Sequence, residues 1–197
     1  MSSGSTSVVV MGPPRCGNIF LASAIRLRYP DETRVIEPGN VLPDGTEIKH
    51  SIQNVQTCAG SGIRVLSPVR CPREAAESFL RFQGTTSHAE DEVAGYLRHY
   101  RSLLRAQTQA EWTFVDFTNL IQGPQEALDD VGRRLPLTGR VFVVRWGELR
   151  SDTTPSLSPI QVPKDLWRDK DILTALHEAH EAFKGALQRD CGCTPPT

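Results

Sequence analysis

Gly12-Pro13-Pro14-Arg15-Cys16-Gly17-Asn18 has the composition of an anion cradle. Glycines let the backbone come close to a negatively charged group, and a helix beginning just after them aims its first N–H groups at that group. Arg15 adds a permanent positive charge. Further along, Arg70-Cys71-Pro72-Arg73-Glu74-Ala75-Ala76-Glu77-Ser78 sets a planar guanidinium fork ahead of a helical hydroxyl, a second donor pair suited to phosphate. Between the two lies Glu47-Ile48-Lys49-His50-Ser51, and His50 changes charge near neutrality, as a general base must. Each cluster also has a plainer reading: a Gly-Pro turn with an exposed arginine, a surface arginine near a neutral serine, and a surface histidine at a strand end.

The remaining reactive residues point to no metal. His177 and His180 are three apart, beside Glu178 and Glu181, but His177-Glu178-Ala179-His180 is one residue short of H-E-x-x-H and no third ligand is evident. Cys191 and Cys193 form a C-x-C without the second ligand pair a zinc site needs, and five cysteines are an odd count for a disulfide framework. His88 and His99 carry no special signal.

The elements that must position these residues alternate. Val8 to Met11 reads as a buried strand stopped by Gly12-Pro13-Pro14, and Asn18 to Tyr29 as a helix with Phe20, Leu21, Ala24, Ile25 and Leu27 as its apolar positions. Residues 34–36, Glu47 to Val55 and Ile63 to Leu66 are strand candidates, with a loop over Pro38 to Thr46. A helix starts at Pro72, followed by an amphipathic helix over Asp91 to Gln107 with Val93, Leu97, Tyr100 and Leu104 on one face. Trp112 to Phe117 reads as strand, Pro124 to Leu135 as helix, Val141 to Trp146 as strand, Ser151 to Pro163 as an irregular loop, and Ile172 to Leu187 as a closing helix. Strands alternating with helices predict an α/β fold with a mainly parallel sheet covered on both sides.

In that setting the Gly12–Asn18 turn follows a strand and opens a helix, as a phosphate loop should. Its glycines are spaced as in the ATPase loop G-x-x-x-x-G-K-[ST], but Asn18 stands at the lysine position and Ile19 at the position of the magnesium-binding hydroxyl. Instead, Pro14-Arg15-Cys16-Gly17-Asn18-Ile19-Phe20 resembles the loop P-[KR]-S-G-T-T-W of the sulfotransferases that use 3′-phosphoadenosine 5′-phosphosulfate (PAPS). Cys16 replaces the serine, and Asn18-Ile19 replaces two threonines, removing two hydroxyls. Arg70, Pro72 and Ser78 match that family's later motif R-x-P-x-x-x-x-S, whose Arg and Ser bind the nucleotide 3′-phosphate. Trp112 to Phe117, then Leu120 and Pro124, looks like the family's Y-E-D-L-x-x-x-P segment, with Asp116 near its acidic position. The likeness covers roughly residues 8 to 135. The C-terminal R-K-G-x-x-G segment has no counterpart, although Arg168 or Lys170 stands after the Pro-rich loop.

The resemblance implies a P-loop-related three-layer sandwich and a transferase acting on a hydroxyl or amine of a small-molecule or carbohydrate acceptor. Pro14, Arg15, Cys16, Gly17, Asn18, Ile19, Phe20, Arg70 and Ser78 would then hold PAPS, with Phe20 against the adenine. Arg15 and His50, the latter resembling the family's K-T-H segment, would be catalytic, Glu37 and Glu47 being alternatives to the histidine. A nucleotide-binding protein that has lost the chemistry is the alternative on the same fold, and a P-loop kinase the third reading.

Bulk properties agree with a small-molecule enzyme. A chain of 197 residues suits a single domain, placed at 8–190 between polar tails at 1–7 and 191–197. A formal net charge of −1 argues against general binding to nucleic acid, and no apolar run is long enough for a membrane span or a signal-peptide core, so the expected location is the cytoplasm.

Overall fold

A computed structural model describes residues 6–12, 15–31, 33–36, 62–84, 86, 89–91, 93–94, 97–98, 101, 112–135, 137, 142–144, 171, 174–175, 178, 181–182 and 185. Strand β1 (Thr6–Val10) leads through the loop at Gly12–Gly17 into helix α1 (Asn18–Arg28), which returns the chain to β2 (Thr33–Ile36). Strand β3 (Arg64–Val69) feeds α2 (Pro72–Gln83), and β4 (Trp112–Asp116) runs directly into the short α3 (Phe117–Gln122) and then α4 (Pro124–Arg134). The described positions among 89–101 and 171–185 are helical; all fall inside the two helices that the periodicity predicts there except Ala89, Glu90 and Asp171, which precede the expected starts.

Among the described residues the three strand pairings are parallel and the order is β2-β1-β3-β4. Val8 pairs with Val35 on one side and Arg64 on the other, and Leu66 aligns with Thr113. The chain is therefore an α/β fold with a parallel sheet flanked by helices.

Parallel sheets are buried on both faces, which is why Val8, Val9 and Val10 of β1 form a continuous apolar run rather than alternating. Val8, Val10, Leu66 and Val115 join Leu21, Ala24 and Ile25 of α1, Leu120 of α3, and Leu128 and Val131 of α4 in one core cluster. Val9 and Val65, on the other side of the pleat, are also fully buried. Ala75, Ala76 and Leu80 of α2 are buried outside that cluster. This matches right-handed crossovers: the chain leaves the central β1/β3 pair in opposite directions, so α1 and α2 fall on opposite faces.

Sequence expectations and structure differ at several boundaries. β1 takes in Thr6 and Ser7, expected in the tail, because they extend the ladder to Thr33 and Arg34. β3 runs three residues beyond Leu66, through Ser67 and Pro68. Phe117 opens a helix instead of ending a strand, since Asp116 caps it by accepting the Asn119 N–H at 3.0 Å. Residues 142–144, expected inside a strand, carry no strand pairing. Their backbone is held by α1 and α4: Phe142 N–H donates to the Arg28 carbonyl at 3.1 Å, Phe142 O accepts from Arg28 Nη1 at 2.7 Å, and Val144 O accepts from Gln125 Nε2. The expected strand at Glu47–Val55 and the loops at Pro38–Thr46 and Ser151–Pro163 lie outside the described residues.

Candidate functional site

Between β1 and β3 the strand order switches direction, and in open parallel sheets the crevice outside the strand C-termini at such a point is the usual ligand site. The β1–α1 loop and the β3–α2 junction both open there. Met11 N–H donates to Leu66 O at 2.8 Å, keeping the two strands together up to the loop.

Arg15 lies in the left-handed region, φ 62°, an arrangement that costs a non-glycine residue roughly 1–2 kcal/mol and that recurs at binding sites. Its side chain reaches α2, where Nε donates to Ser78 Oγ at 3.2 Å, and its guanidinium carbon stands 5.1 Å from the centre of the Phe82 ring. Arg70, one residue past β3, donates from Nη1 to the Arg15 carbonyl at 3.3 Å and pairs through Nε with Glu74, also at 3.3 Å. Its guanidinium carbon lies 5.0 Å from the centre of the Phe117 ring. Burial, and then the charge of Arg70, lower the pKa of Arg15 below the ordinary arginine value. It stays cationic at any working pH, but two neighbouring cations in a half-buried place favour an anion between or beside them.

The loop itself is tightly made. Gly12 has no room for a side chain: a Cβ there would lie 2.8 Å from Asn18 Oδ1 and 3.1 Å from Pro68 O. Gly17 caps α1 at φ 95°, offers no side-chain cap to the helix, and faces the Phe117 ring where a Cβ would otherwise sit. Asn18 Nδ2 donates to Gly12 O at 3.0 Å, closing the loop on itself.

Arg15, Gly17, Arg70 and Ser78 are therefore brought together. Other expected ligands have different surroundings. The Cys16 side chain is completely buried, so Cys16 offers an anion only its backbone. The Asn18 amide braces Gly12, the Ile19 side chain is 61% exposed and apolar, and Phe20 packs on the core and edge-on to Phe117 at 6.3 Å. Pro14, His50, Glu37, Glu47, Arg168 and Lys170 lie outside the described residues, as do His177, His180, Cys191 and Cys193. Two aromatic residues missing from the sequence-based site, Phe82 and Phe117, each carry one of its arginines on a ring face.

The cluster is a donor set of two guanidiniums and a hydroxyl beside a glycine loop, which fits a phosphate or sulfate oxyanion. A groove of about 600 Å³ among β4, α3 and α4 shares none of these residues. Its charges are largely spent on one another, Asp130 pairing with Arg134 at 2.6 Å and Arg133 at 3.2 Å. Among the described residues no group of His, Cys, Asp and Glu is arranged to hold a metal, and no helix is long and apolar enough to cross a membrane. Compared with family models and with characterised protein sequences, the chain matches none.

Proposed function

We propose that this chain is a sulfotransferase-like enzyme of the cytoplasm. It would bind PAPS and pass its sulfuryl group to a hydroxyl or amine of a small-molecule or carbohydrate acceptor. One observation carries the reading. Arg15 of the first motif and Ser78 of the second, 63 positions apart, meet in a hydrogen bond at the switch point of the sheet, with Arg70 alongside.

Bound there, the nucleotide would supply the transferable sulfuryl group. Arg15 and the loop backbone would neutralise charge on its 5′-phosphate side, the task that pre-set donors perform best in a partly dry site. Arg70 and Ser78 would hold the 3′-phosphate, and His50 would accept the acceptor proton. Backbone donors carry more of the load than the motif alone implies, because Cys16 is buried, Asn18 braces the loop and Ile19 is apolar.

Calorimetric titration with 3′-phosphoadenosine 5′-phosphate, beside ATP with Mg²⁺, tests this. The bisphosphate is expected to bind selectively. Arg70→Ala is expected to weaken it by about 1.5–3 kcal/mol, roughly 10- to 150-fold, the usual loss for hydrogen bonds to a charged group. Preference for Mg²⁺-ATP, or indifference to Arg70→Ala, would overturn the assignment. Selective binding without sulfuryl transfer to any acceptor would leave a binding protein of the same fold.

A further inference from the structure

Phe117 touches three parts of the site at once. Val69 and Asp116 are the last paired residues of β3 and β4, so the parallel register carries Arg70 and Phe117 side by side just past the ladder. The Asp116 cap then fixes where α3 begins and so where Phe117 stands. One ring face lies 5.0 Å from the guanidinium carbon of Arg70. The ring edge at Cε2 and Cδ2 fills the place of a Gly17 side chain, and Phe20 meets the ring at an interplanar angle of 76°. Glu74 on Nε and the Arg15 carbonyl on Nη1 also hold Arg70.

We propose that Phe117 is the positioning residue of the anion site, presenting Arg70 to the ligand and holding the Gly17 turn against α3. The proposal rests on the anion-binding reading of the cluster. A guanidinium on a long stem has many rotamers. A ring face restricts them to those that lie flat upon it, so the entropy of ordering Arg70 is lost on folding instead of on binding. The aromatic face is what matters here, rather than apolar bulk, so Phe117→Leu should fail where Phe117→Tyr succeeds.

Two readouts separate this role from simple packing. Protons over an aromatic face resonate upfield, so the Nε–H of Arg70 in a ¹⁵N-labelled sample reports the stacking without any ligand. Phe117→Leu is expected to move that resonance downfield, and Phe117→Tyr to leave it near the wild-type position. Titration with inorganic pyrophosphate and with 3′-phosphoadenosine 5′-phosphate is expected to weaken roughly 2- to 30-fold in Phe117→Leu, as loss of a cation–π contact implies, and to be largely restored in Phe117→Tyr. An unmoved Arg70 resonance in Phe117→Leu, equal weakening in both variants, or failure of both anions to bind the wild type would overturn the proposal. Pyrophosphate binding with the expected variant pattern, without response to the nucleotide, would uphold Phe117 as the positioning residue and remove the nucleotide reading alone.

Discussion

Gly17 shows how narrowly the site is specified at single residues. Its φ of 95° lies where side chains are strained, and the Phe117 ring occupies the space a methyl group would need. Gly17→Ala therefore combines a left-handed backbone penalty with overpacking, together about 2–4 kcal/mol. Urea unfolding is expected to show that loss, and a change below about 0.5 kcal/mol, typical of a neutral surface position, would mean that the ring does not press on the loop. Arg15, Arg70 and Ser78 were legible in the chain because residue type and short spacing carry their chemistry. Phe117 was not, because its role comes from the register of two strands whose paired residues are far apart in sequence. Cys16 misleads for a related reason: serine and cysteine are similar in a motif, but only burial tells that this thiol belongs to the core.

Among the elements, those with local punctuation were read well. Pro72 and Pro124 open α2 and α4; Leu128, Val131 and Leu135 at helical spacing are buried, and in α2 Ala75, Ala76 and Leu80 are buried while Phe82 is half exposed beside Arg15. β3 extends further than its apolar run because Ser67 and Pro68 interrupt that run without ending the pairing. Residues 142–144 show the opposite error: Phe142, Val143 and Val144 look like strand, but α1 and α4 capture them, chiefly through the Arg28 and Gln125 side chains. Arg28 is mostly buried, donates to Gln125 Oε1 at 2.8 Å and to Phe142 O at 2.7 Å, and pairs with Asp129. Gln125 in turn holds Val144 at both backbone groups. Arg28→Ala should cost about 2–4 kcal/mol, more than a surface ion pair, because it removes three contacts of one largely buried guanidinium at once. Gln125→Ala should cost less, about 1–2 kcal/mol, and speed amide exchange at Val144. Equal and small effects in urea unfolding would show that 142–144 is not fastened this way.

For the molecule as a whole, sheet order decides what the site can do. β1 and β3 are central neighbours, and the loop after β1, the start of α2 and the start of α3 converge at their C-terminal ends. The sequence predicts alternation of strands and helices, but strand order depends on which distant segments pair, so the switch point emerges only in three dimensions. A ligand seated there would bridge elements from both directions of the sheet, and its binding energy should appear in the stability of the whole cooperative unit. At a 3′-phosphoadenosine 5′-phosphate concentration of about 100 times Kd, linkage predicts roughly 2.7 kcal/mol of stabilisation. For a chain of this size that corresponds to a rise in Tm of about 5–10 °C. Arg70→Ala, compared with its own nucleotide-free Tm, is expected to lose most of that rise at the same concentration. A rise that persists in Arg70→Ala would place the nucleotide elsewhere on the molecule. A wild-type Tm that does not move at saturating nucleotide would mean that the convergence at the switch point serves another anion.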